Sequence, residues 1–256
     1  MLNTRKFHSI VEFFGLNRPI NYFILYNDSN YINGYHGYEH MKRTLCSVFE
    51  LSRYHKLSFK DTFCLLMASI FHDFSYLGTD KSIKDYDRYN IEVAIDKFKE
   101  YLKIDNIQDE TITNSIVKLI SDSEYPKCMN MIRDNKIDRL SEIFINADHS
   151  MVLFENYYLH QLLYYVLDSN GEPELSKFKE AVDSWFEVCS FSISPYKETW
   201  EREKYDIKQE SYNSILSIYK EHLDDESAFK LIYMNIKEGR SECVKSLFNK
   251  CGYTLI

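Results

Sequence analysis

The scarcity of glycine and proline is the feature that most limits the folds open to this chain. Only 7 of the 256 residues are glycine and 4 are proline. A fold with many β-turns needs far more of both, because glycine supplies positive φ angles and proline presets the turn. Hydrophobic residues make up 45% of the chain, which is normal for a globular protein, and no segment alternates as a strand would. We therefore predict an all-α fold, a helical bundle with a C-terminal helical extension.

Helical periodicity locates the main elements. The segment FCLLMASIF, within a helix predicted over 59–74, is apolar on nearly every face, which is typical of a helix at the centre of a core. Ser58 precedes this helix as a predicted N-cap, with Asp61 three residues later. Further helices are predicted over residues 7–14, 36–54, 87–103, 109–121, 136–154, 156–168, 174–191 and 196–222, with one or two more in 225–256.

The domain organisation follows from the continuity of these patterns. No stretch of the chain has the composition of a convincing linker. We predict one helical domain over residues 1–256, with a core at about 30–155 and C-terminal helices over 156–256 packed on that core. The role of residues 205–256 is left open as packing, a lid or a dimer face.

The charge of the chain limits its partners. The formal net charge is −8 at pH 7, and an acidic surface argues against double-stranded nucleic acid and anionic membranes, which need a basic field. A small phosphorylated ligand in a local pocket is still compatible with this charge.

No apolar stretch reaches the roughly 20 residues of a membrane span, and we recognise no signal peptide. With six scattered cysteines predicted to be buried free thiols, we expect a cytoplasmic protein, for which a homodimer is possible.

Residues able to bind a metal ion or transfer a proton occur in three clusters. The run YHGYEH carries His36 and His40 four residues apart, so that both lie on one face at the start of a helix. His72 and Asp73 end the apolar helix, where a buried imidazole and carboxylate are costly unless paired or metal-bound. Asp148 lies in a later helix with apolar neighbours. Imidazole and carboxylate together suit divalent Mn, Mg, Fe, Co, Ni or Zn.

Each cluster alone also has an ordinary structural interpretation. His36 and His40 could be hydrogen-bonded helix histidines, His72 a cation at a helix end, and Asp148 a buried carboxylate with hydrogen-bond partners. The order, spacing and helical context of the three clusters together favour one shared site.

Taken in order, the motifs resemble the HD superfamily of metal-dependent phosphohydrolases, an all-helical family named after its His-Asp pair. One bacterial branch reads approximately YHN-x-x-H, FHD-x-x-[YF]-L, I-x-x-T-x-x-P and D-A-D-L, and this chain has YHGYEH, FHDFSYL, LISDSEYP and INADHS. The resemblance covers about residues 30–155. It implies that one divalent metal ion has four ligands, which are His40, His72, Asp73 and Asp148.

The resemblance also implies catalytic roles. Asp73 is expected to be essential to catalysis as well as to metal binding. His36 matches the residue that, in cyclic-nucleotide phosphodiesterases of this superfamily, protonates the leaving oxygen. The implied reaction is therefore hydrolysis of a nucleotide phosphoester by metal-activated water, with a phosphodiester or cyclic nucleotide favoured as substrate.

The chain departs from the family at the second metal site. The branch's His-Glu pair falls on Tyr86 and Asp87, and the HDxxHxG form of phosphodiesterases would need a histidine at Tyr76. A neutral tyrosine is a poor metal ligand, so we expect one metal site and leave a second open. These losses motivate the alternative of an HD-like protein that binds or sequesters a nucleotide without turnover. They argue against a third alternative, a di-iron oxygenase, which needs both sets of ligands.

A phosphorylated substrate also needs contacts of its own. Arg88, beside the lost His-Glu pair, and Lys127, after Pro126, are the candidates for binding a phosphate. Tyr35, beside the first motif, is a candidate for stacking on a nucleobase. A solvated surface cation, or an aromatic ring packed in the core or at its rim, is the alternative for each.

Overall fold

Every element in the part of the chain that the structure describes is helical, in agreement with the all-α prediction. The computed structural model describes residues 4–27, 35–76, 85–153, 161–169, 171–216 and 223–238. None of the helices in these ranges combines the length and the apolar character that crossing a lipid bilayer requires.

The described residues fall into two compact units. The first unit contains residues 4–27, 36–76 and 85–150, and the second contains Tyr35 and the described residues from 151 onward. The prediction of a single domain, with 156–256 packed on the core, stays a prediction. The first unit contains every residue of the three sequence clusters that was assigned a metal-binding or proton-transfer role.

The first unit consists of eight helices in its described part. They are α1 (Thr4–Phe14), α2 (Asn17–Tyr26), α3 (Tyr38–Tyr54), α4 (Phe59–Phe71), α5 (Tyr86–Ile104), α6 (Glu110–Asp122), α7 (Lys127–Arg133) and α8 (Arg139–His149). Helix α4 lies at the centre and packs against α2, α3, α5, α6 and α8. The N-terminal helices α1 and α2 pack against α3 and α4, so this unit begins earlier than the predicted core.

Helix α4 is central because its sequence leaves no polar face. Ser58 caps its N-terminus, accepting a hydrogen bond from the Asp61 amide at 3.1 Å as predicted. All residues from 64 to 71 are buried, and the ring of Phe71 packs against Phe98 and Tyr101 of α5. The helix ends at Phe71 instead of 74, so His72 and Asp73 lie in the turn that follows.

Helix α2 is an element that the sequence patterns did not predict. Pro19 reads as a helix stop, but here it occupies the first turn of α2, where the amide that proline lacks would have no intrahelical partner. The helix forms because Ile20, Tyr22 and Phe23 are buried. Tertiary packing therefore stabilises a helix that local sequence patterns did not indicate.

The second unit contains a short π-helical segment (Tyr164–Asp168) and the helices α9 (Leu175–Val188), α10 (Tyr196–Leu216) and α11 (Asp225–Lys237). Phe178 of α9 stacks on Phe229 of α11 with ring centroids 5.2 Å apart, and both are fully buried. Part of the segment 205–256 is thus core packing, while 217–222 and 239–256 lie outside the described residues. Gly171 permits the close approach of the Tyr165 ring, since a Cβ there would lie 2.4 Å from it.

Four cysteines are buried free thiols, as predicted, and they are Cys46, Cys64, Cys128 and Cys189. Burial raises the pKa of Cys128 and of Cys189 to about 12, so both are protonated and unreactive near neutral pH. The other two, Cys243 and Cys251, lie outside the described residues.

Asp138 caps α8, the helix that carries Asp148, and links it to α6. Its carboxylate accepts hydrogen bonds from the amides of Leu140 and Ser141 at 3.0 and 3.1 Å, and it forms an ion pair with Lys118. We expect Asp138→Ala to lower the free energy of unfolding at pH 7 by about 1 kcal/mol, the usual effect of losing an N-cap. Urea titration of both proteins measures this difference.

The effect of Asp138→Ala should depend on pH. Burial opposes ionisation, but Lys118 and the Ser141 amide outweigh it and hold the pKa of Asp138 below its ordinary value. The carboxylate therefore stabilises the fold fully above its unfolded pKa, about 3.9, and the contribution is lost as the pH falls through the lower folded pKa. The difference between the two proteins should shrink toward about pH 3. An equal difference at both pH values would contradict a role for the charge, and Asp138→Asn, which keeps a capping oxygen, is the control.

Candidate metal centre

Four side chains from three helical segments converge in the first unit. His40 lies in the first turn of α3, His72 and Asp73 follow the end of α4, and Asp148 lies in the last turn of α8. Helix α3 packs against both α4 and α8, and the hydroxyls of Ser47 and Ser150 tie α3 to the end of α8 at 2.9 Å. The structure thus brings together all four residues that the resemblance implies as ligands.

The potential ligand atoms form a tight group. The Nε2 atom of His40 lies 3.0 Å from an oxygen of Asp73 and 3.0 Å from an oxygen of Asp148. The Nε2 atom of His72 lies 3.0 Å from the same two oxygens, and the two Nε2 atoms are 3.3 Å apart. All four atoms lie within 4.8 Å of one another, and no other such group occurs in the described ranges.

The tautomer of His72 leaves its Nε2 atom free of the proton that its Nδ1 atom carries in the neutral ring. Its Nδ1 lies 3.1 Å from the carbonyl oxygen of Ser69, which can only accept, so Nδ1 carries a proton. In the neutral ring, Nε2 then presents a lone pair to two carboxylate oxygens. A proton on the Nε2 atom of His72 can point at only one acceptor. That Nε2 atom lies at comparable distances from an oxygen of Asp73, an oxygen of Asp148 and the Nε2 atom of His40. A metal ion satisfies the four acceptors together.

The four side chains also attract one another electrostatically. Burial opposes the charged form of each, but hydrogen bonds to Asp148 and Asp73 raise the pKa of His40, and the same carboxylates raise the pKa of His72 well above its ordinary value. Burial likewise opposes ionisation of the two carboxyl groups. The charge of His72, together with hydrogen bonds from His40 and His72, outweighs it and holds the pKa of Asp73 and that of Asp148 well below the usual range.

The residues present fit a divalent metal ion. Two nitrogen and two oxygen donors suit the borderline and hard ions, as predicted. Ligands about 2.1 Å from an ion lie about 3.0 Å apart at an angle of 90°, and about 3.4 Å apart in a tetrahedron. The nitrogen–oxygen separations of 3.0 Å and the nitrogen–nitrogen separation of 3.3 Å both lie within this range.

The group is closed on its histidine side and partly open on its carboxylate side. The imidazoles of His40 and His72 are 2% and 3% exposed, whereas the carboxylates of Asp73 and Asp148 are 18% and 17% exposed. The ring of His72 packs edge-on against the fully buried Phe144. The carboxylate side is therefore the more exposed side of the group.

His36 lies beside this group but is not part of it. Its ring centroid is 5.8 Å from that of His40, and it stacks on Tyr76 at 3.7 Å with an interplanar angle of 27°. Asp87 lies within electrostatic range of His36. Burial and, less strongly, Glu124 raise the pKa of Asp87 to about 6, while His36 acts in the opposite direction.

Two of the predicted substrate contacts, Arg88 and Lys127, form ion pairs with neighbouring carboxylates and are not among the four potential ligands. Arg88 is mostly exposed and pairs with Glu92 one turn further along α5, at 3.1 Å. Lys127 pairs with Glu124 at 3.4 Å. Tyr35 belongs to the second unit, where its ring packs edge-on against Tyr164. Substrate binding by these three residues stays a prediction.

Two contributors to the site were not found from the sequence. The first is Tyr76, for which the motif comparison indicated only a missing histidine. The second is the carbonyl of Ser69, which fixes the tautomer of His72. The contact of Ser69 with His72 could have been predicted, because residues three positions apart on a helix lie close together. His149 lies outside the ligand group, as expected for the neighbour of Asp148 on a helix.

No protein-family model matches this chain, and no curated protein or solved structure matches it significantly. The resemblance to the HD superfamily therefore depends on the motifs themselves. What the structure adds to those motifs is their convergence in one all-helical unit, with four potential ligand atoms within 4.8 Å of one another.

Proposed function

We propose that this chain is a metal-dependent phosphohydrolase of the HD type, which cleaves a nucleotide phosphoester. Phosphodiesters and cyclic nucleotides are the favoured substrates, from the resemblance at His36. The observation that carries the proposal is the convergence of the Nε2 atoms of His40 and His72 on carboxylate oxygens of Asp73 and Asp148. Donors of these types, exposed on one side, are what a hydrolytic metal site requires.

In this proposal, four of the residues bind the metal ion and a fifth transfers a proton. A divalent ion bound here would lower the pKa of a coordinated water and neutralise charge on phosphoryl oxygens. Asp73 and Asp148 supply the negative charge that retains the cation, and the buried imidazoles of His40 and His72 fix its position. His36 lies next to this group without being a ligand, so it can give a proton to the departing oxygen.

The experiment is a substrate screen. The purified protein is incubated with Mn²⁺ and a panel of cyclic, linear and oligomeric nucleotides, and products are identified by mass spectrometry. We expect product from the wild type and none from Asp73→Ala, with the fold of the variant checked by circular dichroism. The panel member that is consumed identifies the substrate class.

One outcome would replace the proposal with the sequestering alternative. If no panel member yields product but the wild type and Asp73→Ala both retain one nucleotide, the chain binds nucleotide without turnover. His36 would then have no catalytic role.

A further inference from the structure

The rings of His36 and Tyr76 form the closest stacked aromatic pair in the described part of the chain. Their centroids are 3.7 Å apart with an interplanar angle of 27°. Tyr76 is buried, with 7% of its surface exposed, whereas His36 is half-buried in the turn that precedes α3. The tyrosine ring is therefore the more buried of the two, and its face lies against one face of the histidine ring.

The turn after α4 holds Tyr76 in place. The Tyr76 amide donates to the carbonyl of Asp73 at 3.1 Å. Ser75 has a φ of 55°, a left-handed conformation that non-glycine residues rarely adopt, and its amide donates to the buried side-chain oxygen of Asn27 at 2.7 Å. The same turn carries His72 and Asp73. The position of the Tyr76 ring is thus tied to the position of the metal-binding group.

Helix α2 packs against the turn that follows α4. Its residues Tyr22 and Phe23 contact the ring of Phe74, with centroids 5.5 and 5.2 Å apart, and Phe74 is fully buried. Asn27, which binds the Ser75 amide, follows the last residue of α2. The turn is therefore held by packing as well as by hydrogen bonds.

We infer that Tyr76 is a positioning residue for His36, whose ring it holds in the plane needed beside the metal-binding group. The inference rests on the proposed function, in which His36 donates a proton to the leaving oxygen. A proton donor must lie within hydrogen-bond reach of the reacting atom, and a displacement of 1 Å can reduce a rate about 10²-fold. The face of the Tyr76 ring restricts rotation of the half-buried imidazole of His36.

The kinetic test compares two replacements of Tyr76 in two backgrounds. Tyr76→Leu removes the aromatic face, and we expect kcat to fall about 10- to 100-fold with little change in KM or in bound metal. Tyr76→Phe keeps the ring and should restore most of the lost rate. In the His36→Ala background, Tyr76→Leu should cause no further loss, because the residue it positions is absent. An equal loss in both backgrounds would overturn the inference and indicate a purely structural role.

A spectroscopic test separates this inference from the proposed function. A tyrosine face at 3.7 Å shifts the ring protons of His36 upfield by its ring current. Proton–carbon correlation spectra of the Mg²⁺-loaded protein should show this shift in the wild type and in Tyr76→Phe, but not in Tyr76→Leu. If the wild type hydrolyses nothing, the proposed function fails, and the ring-current shift still decides whether Tyr76 holds His36. Absence of the shift in the wild type would overturn the inference.

Discussion

Replacing Asp73 by alanine should abolish metal binding and hydrolysis while the helical fold persists. The Asp73 carboxylate lies 3.0 Å from the Nε2 atoms of both His40 and His72, so it contacts both nitrogen donors of the group. Its removal leaves two imidazoles that can lose a proton, so the loss need not leave an unpaired buried charge. The fold depends instead on the apolar packing around α4, which Asp73 does not enter.

The expected losses are large enough to measure directly. Metal ions supply several kcal/mol of transition-state stabilisation, and each 1.36 kcal/mol is a factor of ten, so the rate should fall at least about 10³-fold. Bound metal is measured by elemental mass spectrometry after gel filtration. For the wild type, an ion at 100 times its Kd should stabilise the fold by about 2.7 kcal/mol and raise the Tm by about 5–10 °C. The Asp73→Ala variant should show neither bound metal nor this shift.

Asp105 provides a matched control for Asp73. Its side chain is also mostly buried, at 11% exposure, and it accepts a hydrogen bond from Tyr101 at 2.8 Å and pairs with Arg18. It belongs to no metal-binding group among the described residues. Asp105→Ala should therefore retain metal and activity even if it loses some stability. Asp73→Asn, which keeps the shape of the side chain, serves if the alanine variant is poorly folded. Full activity in either Asp73 variant would contradict the assignment of the site.

The parts of this fold that could be predicted are those governed by local pattern. Few glycines and prolines, together with helical periodicity, indicated an all-α chain. The apolar run from Cys64 to Phe71 identified the central helix, because a helix without a polar face can be stable only in a core. His40, His72, Asp73 and Asp148 could be selected because their order and spacing match a known motif. Their convergence needed the packing of α3 against α4 and α8.

The parts that could not be predicted depend on contacts between distant residues. Helix α2 was not among the predicted helices and forms because its apolar side chains are buried. The contact between His36 and Tyr76 joins residues 40 positions apart, and no local pattern encodes it. The pairing of Arg88 with Glu92 is the opposite case. Their spacing of four residues on one helix is typical of an ion pair, and this contact weakens the case for Arg88 as a phosphate ligand.

His36→Ala should slow hydrolysis while leaving the metal in place. His36 is not one of the four ligands, but its ring lies beside the group, 5.8 Å from that of His40. Loss of a general acid typically reduces kcat about 10²- to 10⁴-fold. Elemental analysis should find the same bound metal as in the wild type, which distinguishes this variant from Asp73→Ala. His55→Ala, at a half-buried histidine near Arg139, is the control and should retain full activity.

The dependence on the leaving group decides whether His36 donates the proton. An alkyl leaving group, such as a ribose oxygen, must be protonated as it departs, whereas a nitrophenolate leaves as a stable anion and gains little from an acid. The rate loss in His36→Ala should therefore be large for a nucleotide substrate and small for a bis-nitrophenyl phosphodiester, assayed with the same metal. If both substrates slow by the same factor, His36 acts in binding or in metal positioning. A variant that keeps the wild-type rate on both would remove His36 from the mechanism, while the metal-binding assignment of the other four residues would stand.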